Sequence, residues 1–273
     1  MPASDRRMHS ILIAAGIYIV FGPGWLFVDL HWVAPQIVVW LQAPSWLPPS
    51  VWETSGTIWT AVPQFIATLP GEIALPLALY LLLVRRHSLA PLLRRPARFG
   101  AAAIVSLAGI AGAILVAATQ DPVLGVVDIV SFLLFVGVVG PLEEWSFRGV
   151  LTRVVADRVG LLPAAVVVSA AFGLNHMFEG LFQGQMSFGN DLAYMGTMAL
   201  AGLILTWVAW RSGSILWAAT VHGLNDWLAA TAFKGGASLV ENLAMVALAV
   251  LGTEAVRLLS GIAARRHETT LTS

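Results

Sequence analysis

Residues 99–120 read FGAAAIVSLAGIAGAILVAATQ, 22 positions without a charged side chain. About 20 apolar residues, rising ~1.5 Å each, cross the ~30 Å hydrocarbon core of a bilayer, so this stretch is a membrane-spanning helix. The rest of the chain agrees with it. Hydrophobic residues make up 58% of the 273 positions and charged ones 11%, with a mean hydropathy of +0.81; soluble domains carry about 25% charged residues. Fifteen Lys and Arg balance fifteen Asp and Glu, which leaves no basic face for nucleic acid and no acidic tail for a basic partner. The chain has no cysteine, so disulfides, thiolate zinc sites, iron-sulfur clusters and a cysteine nucleophile are excluded. Any metal must then be held by His, Asp or Glu.

Working outward, the spacing of charges marks further spans at 8–28, 159–178 and 192–210. Four more appear if a charge is allowed inside: 57–84 around Glu72, 122–142 around Asp128, 212–233 around Asp226, and 238–260 around Glu241 and Glu254. The expected fold is all-α, a polytopic transmembrane helical bundle of about eight spans. With eight crossings, thirteen of the fifteen Lys and Arg fall on one side, Lys234 falls on the other, and Arg148 lies inside a helix. The positive-inside bias then places both termini in the cytoplasm. Arg6 and Arg7 precede an apolar stretch too long for a signal-peptide core, so the first helix is expected to remain as an anchor. Arginine outnumbers lysine 14 to 1 and alanine is abundant, a bias that points to a GC-rich bacterial genome and a bacterial cell membrane.

Three regions are expected. Residues 1–123 hold N-terminal transmembrane helices and, at 29–56, a Trp- and Pro-rich stretch suited to the outer interface. Residues 124–232 form a helical core, and 233–273 a last span and a cytoplasmic tail. The loop 85–98 is short and arginine-rich.

Charged groups inside a span are costly and mark function by default. They cluster here in Gly140-Pro141-Leu142-Glu143-Glu144-Trp145-Ser146-Phe147-Arg148-Gly149, in Phe172-Gly173-Leu174-Asn175-His176 and in His222-Gly223-Leu224-Asn225-Asp226. If the chain turns near Gly160, Glu144 and His176 lie 16 residues to either side, about 24 Å along antiparallel helices. A second turn near Ser212 and Gly213 puts His222 and Asp226 in the same layer. Glu144 and Arg148 share a face at i,i+4, as do His222 and Asp226. An internal Glu144–Arg148 pair would leave Glu143, rotated about 100°, for chemistry. Two histidines and a carboxylate in a dry bundle are able to activate water.

Each motif has a plainer reading. The Glu143-Glu144 pair and Arg148 suit a helix end snorkelling to headgroups, and His176, or His222 with Asp226, suit interhelical hydrogen bonds. Intramembrane Glu, His and Asp also serve transporters and proton relays, and a non-catalytic immunity or scaffold protein would keep the same fold. Glu72, between Pro70 and Pro76, reads as a helix-contact residue.

Taken in order on successive helices, Glu143-Glu144-x-x-x-Arg148, Phe172-x-x-x-His176 and His222-x-x-x-Asp226 resemble the motifs of the CAAX protease and bacteriocin-processing family, also called CPBP or Abi, of intramembrane endopeptidases, and in particular its CAAX prenyl protease type 2 branch. The likeness covers roughly 124–232. It implies hydrolysis of a peptide bond in a peptide or membrane-associated protein. Glu143 and His176 would activate water, and His222 and Asp226 would assist at the tetrahedral intermediate. The last position is commonly Asn in the prenyl-processing relatives; an ionised Asp226 only accepts hydrogen bonds and would orient His222 or bind a metal instead. Neighbouring Asn225 is the other candidate donor. Both a divalent metal such as zinc, on Glu143, His176 and His222, and a metal-free water activated by glutamate fit the motifs.

Overall fold

A computed structural model of the chain describes residues 12–24, 70, 73–84, 98–120, 126–182, 188–231 and 239–271. The Trp- and Pro-rich stretch 29–56, Glu72, the loop 85–97 and Lys234 lie outside the described residues. Among the described residues there is no strand. They form eight helical runs: α1 (12–24), α2 (73–84), α3 (Phe99–Gln120), α4 (126–159), α5 (Leu161–Phe182), α6 (Phe188–Ser212), α7 (Ile215–Thr231) and α8 (Leu239–Leu271). Among the described residues, four windows are long and apolar enough to cross a membrane, Phe99–Thr119, Asp128–Val159, Leu192–Ser212 and Asn242–Arg265; α1, α2 and α5 carry shorter apolar stretches. The protein is an integral membrane protein with an all-α, polytopic fold.

The surface is inverted relative to a soluble protein. Leu107, Leu115, Leu200 and Leu251 point outward, while Ser106, Glu144, Arg148, Ser169, Thr206 and His222 are buried. In lipid an exposed leucine is at no disadvantage, whereas a polar group is satisfied only against other helices. The innermost helix, α7, packs against α3, α4, α6 and α8, and Trp217, Ala218 and Leu224 on it are fully buried. The antiparallel hairpins turn at Gly160 and Gly213, the two described glycines with positive φ, where a side chain would be strained. Both turns fall where the sequence places them.

Two helices outrun their charge-bounded spans, although the turn expected near Gly160 already carries the fourth to 159. The fourth continues past 142 to Val159, a 32-residue window or about 48 Å, because Glu144 and Arg148 are buried inside the bundle and do not mark its watery end. The last runs to Leu271, through a stretch whose polar composition reads as a tail.

α4 and α7 cross at glycines. A Cβ on Gly140 would stand 2.7 Å from the Ala219 carbonyl oxygen, and one on Gly223 would stand 2.5 Å from that of Phe135, so these backbones touch as small residues allow in membranes. Gly223→Ala should force them apart, at about 1–3 kcal/mol of overpacking. A lowered unfolding temperature in detergent, together with reduced activity, is the expected result; an unchanged melting curve would refute the contact.

Candidate active site

The carboxylates arise from an irregular part of α4. Wider, π-helical turns at Phe135–Val139 and Trp145–Leu151 flank Glu143 and Glu144, and Thr152 Oγ1 donates to the carbonyl of Phe147, five residues back, at 2.7 Å. Such bulges often occur at functional sites; here they bracket the turn that meets α7.

The two carboxylates meet one ring. Glu144 Oε1 accepts from His222 Nδ1 at 3.0 Å and from Arg148 Nη1 at 2.8 Å. On the far side of the imidazole, Nε2 stands 3.5 Å from Glu143 Oε2 and 3.2 Å from Asp226 Oδ2. Asn225 Nδ2 donates to Asp226 Oδ1 at 3.3 Å, so both Asp226 oxygens have partners. Asn225 therefore serves Asp226. The Glu144 and Arg148 side chains are 0% and 1% exposed, whereas Glu143 and Asp226 retain 12% and 30%. The second pair is thus less deeply buried than the first, although the Glu143 oxygen that faces His222 is itself buried. An imidazole with a carboxylate at each nitrogen donates from both only as the imidazolium.

His176 is held differently. Its Nδ1 is 2.9 Å from the Phe172 carbonyl oxygen. A carbonyl only accepts, so Nδ1 carries the hydrogen and Nε2 of the neutral ring keeps a lone pair. Phe172 links the parts: its ring lies 4.4 Å from the His176 ring, 5.7 Å from the His222 ring and 5.1 Å from Phe147, with the Arg148 guanidinium 4.3 Å over its face. A cation on an aromatic face is favourable where water is absent. It partly offsets the cost of burying Arg148, whose Nε and Nη2 have no hydrogen-bond partner among the described residues.

All six side chains singled out from the sequence are thus in one region. Glu143, Glu144, Arg148, His222 and Asp226 share direct contacts, and His176 joins them across Phe172. Both i,i+4 pairs form as their spacing requires. The second link of Glu144, to His222, is new, as is the central place of the Phe172 ring. A metal fits this arrangement poorly. Both nitrogens of His222 face carboxylates, Nδ1 of His176 faces a carbonyl, and no group of three or more His, Asp or Glu among the described residues is disposed to hold an ion.

Residues 125–228 match the family model for Rce1-like proteins, described as type II CAAX prenyl endopeptidase Rce1-like. The match, over somewhat more than a third of the chain, supports assigning this segment to the CAAX protease family. No curated protein and no solved structure matches the chain. The matched CAAX-protease segment runs from the start of α4 into α7 and contains all six residues. The match supports a CAAX protease-type intramembrane endopeptidase in general terms, a family whose substrates are membrane-associated proteins or peptides.

Proposed function

We propose that Glu143 and His176 activate a water for peptide-bond hydrolysis, with the core at 124–232 carrying the chemistry. The observation that carries this reading is the single imidazole of His222 gripped from opposite sides by consecutive carboxylates, one fully buried and one partly exposed. Glu143, the partly exposed one, is the general base. His176 Nε2 accepts one hydrogen of the water while Glu143 removes the other proton, and the water oxygen bonds to the scissile carbonyl carbon. As charge develops on the carbonyl oxygen, His222 Nε2–H swings from Asp226 toward it, while Glu144 holds the ring through Nδ1. When the intermediate collapses, the C–N bond breaks and the proton on Glu143 passes to the leaving amine. Asp226 acts as an acceptor that orients His222, which accounts for an Asp at a position where Asn is common. No step needs a metal.

The thirteen-to-one distribution of basic residues supports cytoplasmic termini, and the arginine and alanine bias supports a bacterial cell membrane.

His176→Ala should retain the fold, because its one side-chain hydrogen bond stays within its own helix. It should lose about 10²-fold in kcat, read as cleavage of an internally quenched peptide ending in a farnesylated Cys-a-a-X sequence in detergent. Intact-mass measurement during turnover should show no acyl-enzyme. Undiminished turnover, or a covalent adduct, would overturn the mechanism.

A further inference from the structure

The first helix lies outside the matched segment, yet it reaches the active-site helix. Its buried face, Ala14, Ile17 and Tyr18, recurs at helical spacing and joins one core with Phe147, Val168 and Phe172, while Leu12, Ile19 and Val20 face outward. On that face the Tyr18 hydroxyl donates to the carbonyl oxygen of Ala171 on α5 at 2.5 Å. Ala171 directly precedes Phe172, whose own carbonyl holds His176. The Tyr18 ring packs edge-on against Phe147 with centroids 6.0 Å apart, and Phe147 packs edge-on against Phe172. A hydrogen bond and a run of aromatic contacts therefore converge from Tyr18 on the turn that carries His176. One turn further along α1, a Cβ on Gly22 would stand 3.2 Å from Asn175 Oδ1 and 3.2 Å from the Tyr18 ring. Asn175 is the neighbour of His176, so α1 approaches this turn at two points.

We propose that Tyr18 is a positioning residue: by clamping Ala171 and backing Phe147, it holds the α5 turn so that His176 Nε2 stays aimed at the catalytic water. A buried hydroxyl is an expensive group to place in an apolar core unless its hydrogen bond is made, and a phenylalanine would fill the same space. Tyr18 contributes direction as well as volume, because the hydrogen bond fixes the height of α1 against α5, which greasy contact alone leaves free to slide. The inference rests on the catalytic reading of His176 for its consequence but not for the clamp itself.

The test uses the full-length protein in detergent with the Tyr18→Phe and Gly22→Ala variants. Two readouts are taken: the rate at which diethyl pyrocarbonate modifies His176, followed by peptide mass spectrometry with the remaining histidines as internal reference, and the kcat and KM for the farnesylated peptide. Tyr18→Phe should change the His176 modification rate severalfold and lower kcat about tenfold with KM unchanged, as small misplacements of catalytic groups do, while the melting temperature holds. Gly22→Ala, which presses a methyl group on Asn175 and Tyr18, should move both readouts in the same direction. A parent-like modification rate and kcat in Tyr18→Phe, alongside an inactive His176→Ala, would overturn the clamp. A fully active His176→Ala with an altered modification rate in Tyr18→Phe would instead remove the catalytic role of His176 and leave the clamp standing.

Discussion

Glu143→Gln is expected to lower kcat by about 10³-fold while leaving the protein folded. The amide has nearly the same shape as the carboxylate, so packing against His222 survives, but it cannot take a proton from water. Glu143 is the right residue for so selective a loss because its consecutive partner carries the structural role: Glu144 holds Arg148 and His222 Nδ1 in a fully buried site, whereas Glu143 faces Nε2 and is partly exposed. Single-turnover cleavage of the farnesylated peptide, set beside thermal unfolding of the same preparation, measures both halves of the expectation. Turnover equal to that of the parent protein would end the general-base assignment. The same result would favour a scaffold or immunity role for the fold.

The largest effect on stability is expected at Arg148. Replacing it with Met removes the guanidinium partner of a fully buried carboxylate and leaves that carboxylate the ring of His222. Removing one member of a buried ion pair costs about 3–5 kcal/mol, since the remaining charge has no water to turn to. The variant should therefore unfold at a much lower temperature in detergent or fail to accumulate. Glu144→Leu combined with Arg148→Met separates the two roles of this carboxylate. With both charges gone, most of the stability should return, because a buried pair replaced by apolar groups of similar size is often neutral. Activity should not return, because His222 Nδ1 has lost the acceptor that fixes its ring. A double variant as unstable as the single one would show that the pair is not the source of the loss, and a fully active double variant would show that His222 needs no such acceptor.

Features that depend on neighbours along one helix are legible in the sequence. The i,i+4 spacing of Glu144 with Arg148 and of His222 with Asp226 requires each pair to share a face, and both pairs form. The turns at Gly160 and Gly213 are legible because a positive φ selects glycine, and the matched depths of Glu144 and His176 follow from counting residues at a constant rise. The end of α4 is not legible from charge. A cluster of Glu and Arg reads alike at a headgroup boundary and inside a polar pocket, and here the pocket is correct. Nor does one line of letters show that Glu144 meets His222, 78 positions away, that the Phe172 ring serves both histidines, or that Tyr18 on the first helix clamps Ala171. Gly140 and Gly223 are visible as small residues, but their contact with each other's helices is not.

Composition and the runs between charges determined that this chain lives in a bilayer as helices, and the few polar groups within those runs marked the candidate site. Which helices are neighbours, and which face of each turns inward, were decided by the tertiary structure alone. The physical reason lies in the solvent: lipid tails and a helix core are equally apolar, so hydrophobicity, which tells inside from outside in water, is silent here. The choice passes to close glycine crossings, to single hydrogen bonds such as that of Tyr18, and to a buried imidazole that only the folded bundle can surround with carboxylates.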